Sequence, residues 1–271
     1  MQKTLKKYFP IFLFPTVIAF CIAFVIPFIT GLYLSFCNFT TVSNAKFVGL
    51  ENYIKAFSSS QRFGQAFGFT TLFTIISIIT VNIIAFTLAY LLTKKIKGTN
   101  FFRTVFFMPN LIGGIVLGYT WQSMINAILA NYGTTLVANA KYGFIGLIIL
   151  MNWQMIGYMM IIYIAGLQNV PTELIEASKI DGATKWQTLR HVTIPMVMPS
   201  ITICLFLTLS NSFKLYDQNL ALTAGAPIHK TEMLALNIVN SFYGRSNFEG
   251  VGQAKAVMFF IIVACIALSQ L

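Results

Sequence analysis

Residues Glu176 to Pro199 read EASKIDGATKWQTLRHVTIPMVMP and lie between two long apolar runs. Glu176, Lys179, Asp181, Lys185 and Arg190 crowd into this stretch, although only 9% of the chain is charged. Local signals divide it into two short helices. Pro171 precedes the first, Thr172 can cap it, and Glu173 and Glu176 fall near its amino end, where the backbone dipole favours anions. Lys179 falls in its last turn, and Gly182 suits the left-handed position just past a helix end. Thr184, with Gln187 three residues on, has the form of a capping box for a second helix, which Arg190 and His191 close and Pro195 stops. Trp186 and Leu189 give that helix an apolar side. The pair is too polar to cross lipid and too amphipathic for a slack linker.

The rest of the chain says what solvent this loop leaves behind. At 57% hydrophobic residues and a mean hydropathy of +0.76, 271 residues carry more apolar surface than a soluble domain can hide. A spanning helix needs about 20 mainly apolar residues, and six segments qualify: 9–36, 67–92, 105–129, 143–167, 194–213 and 254–271. The expected fold is an all-α polytopic membrane protein, one transmembrane domain over 1–271, with six transmembrane helices and a two-helix loop at 172–193. Pro10, Pro15 and Pro27 predict a kink in the first helix. The uncharged run from Tyr8 to Thr41 exceeds the roughly 7–15 residues of a signal-peptide core, so this segment reads as a retained anchor.

Lys and Arg number 18 against 7 Asp and Glu, a net charge of +11. The cations sit in short clusters between apolar runs, not in the aromatic-laced stripe that nucleic-acid binding needs, so they report membrane topology. Lys3, Lys6 and Lys7, with Lys94, Lys95, Lys97 and Arg103 two crossings later, predict a cytoplasmic amino terminus and a cytoplasmic loop at 172–193. Between the third and fourth segments the single cation is Lys141. Cys21, Cys37, Cys204 and Cys265 show no metal-ligand spacing. Gly113 to Thr120, GGIVLGYT, only superficially resembles a phosphate-binding loop, because it has no lysine at the required place. His191 and His229 fall on opposite sides of the membrane in this topology, which leaves no catalytic constellation.

Glu176-Ala177, Asp181-Gly182-Ala183, Trp186-Gln187 and Ile194-Pro195 with Pro199 resemble the EAA signature of permease subunits in ATP-binding-cassette importers. Phe101 to Pro109, FFRTVFFMP, and Ala165 to Pro171, AGLQNVP, resemble sugar permeases of the maltose type, as do Leu222 to Pro227, LTAGAP, and Gly252-Gln253-Ala254. The chain departs from the pattern at Ser178, where the family has a second alanine, and at Ala226, where it has a glycine.

The resemblance implies a type I importer permease fold in a bacterial cytoplasmic membrane. It makes the loop at 172–193 a coupling helix that docks on a cytoplasmic ATPase through Glu176, Ala177, Ser178, Asp181, Gly182, Ala183 and Trp186. The implied partners are a second, homologous permease in a heterodimer, two ATPase subunits that bind the ATP and Mg²⁺, an extracellular solute-binding protein and a carbohydrate. No cofactor is expected in this chain.

Polar side chains inside apolar spans are costly unless they face the bundle interior or a wet cavity. Asn152, Tyr158, Ser210, Asn211, Lys214 and Asp217 are therefore candidates for a substrate path, since amides and aromatics suit sugar hydroxyls and ring faces. Packing between helices and anchoring at the membrane interface are the competing roles. Lys214 and Asp217, three residues apart, could pair on one helical face. An ion-driven secondary transporter remains an alternative, though no internal repeat is evident. So does an importer of the same architecture for glycerol phosphate or a peptide.

Overall fold

A computed structural model describes residues 9, 13–94, 97–244 and 247–268. Lys3, Lys6, Lys7, Pro10 and Lys95 lie outside the described residues. The elements run α1 (Leu13–Leu34), β1 (Cys37–Asn38), β2 (Lys46–Phe47), α2 (Glu51–Ala56), α3 (Phe63–Leu92), α4 (Thr99–Leu111), α5 (Gly114–Ala130), α6 (Ala140–Gln168), α7 (Thr172–Ile180), α8 (Lys185–Phe213), α9 (Asp217–Leu222), α10 (Leu234–Tyr243) and α11 (Glu249–Leu268). Among the described residues α1, α3, α6, α8 and α11 are long and apolar enough to cross a membrane, and α4 with α5 forms a sixth candidate.

The chain divides into two compact units. The first takes the residues up to Phe63 together with Ile238–Ile262. Here α1 contains a π-turn at Cys21–Val25, which ends two residues before Pro27. The wider turn takes up the strain that a proline without an N–H brings to a helix, where a kink was expected. The strands β1 and β2 pair antiparallel. Asn52, buried on α2, donates to the carbonyls of Ser35 at 3.0 Å and Cys37 at 2.8 Å, tying α2 to the end of α1. Lys255 on α11 is fully buried and donates to Gln61 O at 3.3 Å, Gln61 Oε1 at 3.2 Å and Ser241 Oγ at 2.7 Å. These acceptors let a charged side chain sit inside an apolar helix.

The second unit takes Gly64–Asn237 and the residues from Val263. Its core joins Phe73, Val81, Ala85 and Ala89 of α3 to Leu147, Leu150, Met151 and Met159 of α6 and to Val197 and Cys204 of α8. In lipid there is little hydrophobic drive between helices, so close packing and interhelical hydrogen bonds hold them. Both are present. Gly157 brings α6 against the backbone of Phe106 and Phe107, leaving no room for a side chain. Tyr163 of α6 donates to Asn82 Oδ1 of α3 at 2.7 Å, and Asn82 Nδ2 donates to Thr208 Oγ1 of α8 at 3.2 Å.

Two expectations change. The third span, expected as one helix over 105–129, is broken: α4 and α5 meet at 101°. The last residues of α4, Met108–Leu111, tighten into a 3₁₀ turn around Pro109, and Ile112 and Gly113 are extended. The freed carbonyl of Ile112 accepts from Gln154 Nε2 at 3.4 Å. Gly118 then lets α5 close on Ala221 of α9, the close approach that small residues permit between membrane helices. Pro195, in turn, does not stop the helix begun at Lys185. The π-turn Leu189–Thr193, in which Ile194 N–H donates to Leu189 O, absorbs the missing donor, and α8 runs unbroken to Phe213.

Tyr163→Phe and Asn82→Leu are each expected to destabilise the protein by about 1 kcal/mol. Together they should cost less than the sum, as read in a double-mutant cycle of unfolding in mixed micelles. Strict additivity would show that this bond does not couple the helices.

Candidate functional site

The hairpin of α7 and the start of α8 forms from the signals that the sequence carries. Helix α7 begins at Thr172, so Pro171, with ψ 130°, stands at the N-cap and Thr172 makes no cap, a correction that follows because Thr172 is already the first helical residue. At its other end Gly182 N–H donates to Lys179 O at 3.1 Å and Ala183 N–H to Ser178 O at 2.9 Å. Gly182 has φ +77° with open space around it, so its need is conformational, not steric. The capping box is complete: Gln187 N–H donates to Thr184 Oγ1 at 3.3 Å, and Thr184 N–H to Gln187 Oε1 at 2.8 Å.

The expected docking residues separate into two sets. Ser178 is buried, donates to Ile175 O at 2.8 Å, and has its Oγ 3.0 Å from Thr188 Oγ1. It fastens the two arms to each other where alanine would only touch. Glu176, Ala177, Asp181 and Trp186 are exposed, and Ala183 is half-buried. Trp186 is 65% exposed and Ile180 86% exposed, a large apolar surface at the tip of a polar hairpin. Ile180 was not singled out in the sequence; its position at the end of α7, just before the turn, is the signal that could have found it.

A cavity of about 280 Å³ opens beside the break between α4 and α5. Asn110 from the break, Gln154 from α6, Asn211 and Lys214 from α8 and its end, and Asp217 and Gln218 from α9 line it, with Tyr216 between. Gln218 Nε2 donates to Gln154 Oε1 at 2.7 Å, and Gln154 passes its own N–H to Ile112 O. One amide chain thus closes the backbone break and furnishes the cavity wall. Tyr216 and Gln218 escaped the sequence reading because they lie outside the long apolar segments, and Asn110 because its apolar neighbours within 105–129 hide the break on which it sits.

Of the expected path residues, Asn211, Lys214 and Asp217 share this cavity. Ser210 is not among its lining residues; its carbonyl accepts from Lys214 N–H at 3.3 Å. Asn152 donates to Thr80 Oγ1 at 3.0 Å and joins α6 to α3. The Tyr158 ring packs on Phe107, with centroids 6.4 Å apart. Lys214 and Asp217 form no ion pair among the described residues. The reason is that Lys214 caps the end of α8 while Asp217 opens α9, so they share no helical face.

Asn211→Cys should react readily with a charged, water-soluble thiol reagent, and Asn152→Cys should not, in a background without the four native cysteines. Equal labelling of the two would remove the distinction between cavity and packing positions.

Residues 99–271 match the family described as binding-protein-dependent transport system inner membrane component. The chain is 43% identical to a Thermoanaerobacterium thermosulfurigenes protein described as "Probable starch degradation products transport system permease protein", over 96% of this chain and 91% of that one. It is 32% identical to a multiple sugar-binding transport system permease protein of Streptococcus mutans serotype c, over 100% of this chain and 97% of that one. Its fold matches a chain of a bacterial ABC transporter involved in import of the acidic polysaccharide alginate, with a TM-score of 0.83 at 20% identity, covering 99% of this chain and 96% of that one. Such a transporter in complex with an alginate pentasaccharide-bound periplasmic protein matches with a TM-score of 0.83 at 18% identity, covering 100% and 95%. The helical architecture, the broken third span, the hairpin and these matches agree, and the chain belongs to the inner membrane components of binding-protein-dependent transport systems.

Proposed function

We propose that this permease subunit forms part of the path for a sugar or oligosaccharide handed over by an extracellular binding protein. The cavity carries the carbohydrate reading. Asn110, Gln154, Asn211 and Gln218 bring amide donors and acceptors, and Tyr216 brings a ring, to one concave site, the combination that hydroxyl-rich rings require. Support comes also from the starch products and sugars named for the two relatives.

The chemistry belongs elsewhere in the assembly. The chain acts as a conduit and not as an enzyme; two partner ATPase subunits bind ATP and Mg²⁺ and hydrolyse the nucleotide. A second, different permease completes the path. The exposed hairpin tip, with Trp186 and Ile180 beside Glu176 and Asp181, docks in a cleft of the ATPase. Because α8 carries Lys185 at one end and Asn211 near the other, closure of the ATPase reaches the cavity along a single helix. The protein resides in a bacterial cytoplasmic membrane, with its amino terminus and hairpin in the cytoplasm.

In the purified complex, Asn211→Leu is expected to lower sugar uptake severalfold while leaving basal ATP hydrolysis unchanged. Gly182→Val should lose binding-protein stimulation of ATP hydrolysis, whereas Gly182→Asn, which tolerates the left-handed region, should keep most of it. Normal uptake by Asn211→Leu at matched membrane levels would take the cavity out of the path. Equal behaviour of the two Gly182 variants would contradict the coupling role.

A further inference from the structure

The second unit holds another concavity, of about 550 Å³, at the amino-terminal end of α6: its floor is apolar and its rim is cationic. Phe69 and Leu72 of α3 face Phe144 and Ile145 of α6 across it, with Lys141 and Lys230 at the rim. The Phe69 and Phe144 rings meet edge to face at 5.6 Å and give the floor a fixed shape.

The depth of these residues is set by their place in the helices. Lys141 is the second residue of α6, and Lys230 belongs to the segment between α9 and α10 that Gln65, the third residue of α3, meets by donating to His229 O at 3.5 Å. Both ammonium groups therefore sit at the ends of two spanning helices, where phospholipid headgroups lie. Leu72 is nine residues into α3, and at 1.5 Å per residue this places it about 13 Å further along the helix, at the depth of acyl chains.

The electrostatics select the occupant. No carboxylate lines the groove, and neither lysine forms an ion pair among the described residues. Glu232, the nearby acid in the chain, is buried and engaged with His229 at 3.3 Å and Asn237 at 3.2 Å. A small aqueous anion would leave the aromatic floor unused, and a zwitterionic lipid would leave the two cations uncompensated. We propose that this groove binds a glycerophospholipid with an anionic headgroup, its phosphate and headgroup at Lys141 and Lys230 and one acyl chain along Phe69, Leu72, Phe144 and Ile145.

The test uses the assembled transporter in phosphatidylcholine vesicles, doped with a trace of phosphatidylglycerol or phosphatidylcholine carrying a photoreactive group on one acyl chain. Cross-linked peptides are then mapped. Phosphatidylglycerol should label the peptides around Phe69–Leu72 and Phe144–Ile145 more strongly than phosphatidylcholine, by about fivefold for each lysine at the headgroup. Lys141→Gln should lose about one such factor, and Lys141→Gln with Lys230→Gln should fall to the phosphatidylcholine level. Both lysines are exposed, so assembly with the ATPase should be unaffected and is measured on the same samples. Equal labelling by the two lipids, a preference that survives the double substitution, or no labelling of the groove by either lipid would each overturn the proposal.

Discussion

Inside a bilayer no water is available to satisfy a backbone N–H or C=O, so each must find a partner in the protein. Helices meet this demand automatically. A break does not, and the break between α4 and α5 is where the structure gains a site. The Ile112 carbonyl, released by the turn at Pro109, is met by Gln154, and Gln154 is met by Gln218. Irregular backbone at membrane depth is tolerated where it lines a cavity, and this one lines the cavity that also collects Asn110 and Asn211.

The same demand shapes α8. Two prolines, Pro195 and Pro199, lie in a helix that must stay continuous, and an interior proline costs about 3 kcal/mol when it removes a bond and clashes with the turn before it. The π-turn Leu189–Thr193 shifts Ile194 N–H to Leu189 O and lets the helix continue. Through that turn the polar hairpin becomes the first part of a spanning element. Ser178 and Thr188 lock α7 to it, so the hairpin and the span move as one body.

Much of this was legible in the residues. The apolar runs, the left-handed Gly182 and the Thr184–Gln187 capping box are local features, and the structure has each of them. What sequence could not reveal is set by distant partners. Nothing around Asn152 or Tyr158 in the chain distinguishes a packing side chain from a cavity wall; Thr80 and Phe107 decide it, and both come from other helices. Pro195 looked like a stop because the compensating π-turn has no composition of its own. The break at Ile112–Gly113 was hidden because its flanks are apolar, and its remedy, Gln154, lies 42 residues away in the chain. Lys255 was passed over for the same reason: its acceptors, Gln61 and Ser241, are remote in sequence.

The central claim is that α8 transmits motion of the hairpin to the cavity as a rigid rod. Pulsed electron resonance between spin labels on Lys185→Cys and Lys214→Cys, in the complete transporter without native cysteines, tests it directly. At 1.5 Å per residue the labelled positions are about 43 Å apart along the helix. The account predicts one narrow distance distribution that stays the same without nucleotide and with ATP bound. A shift or broadening of more than about 5 Å, roughly one helical turn, would show that the helix bends at its π-turn or prolines and would contradict the account.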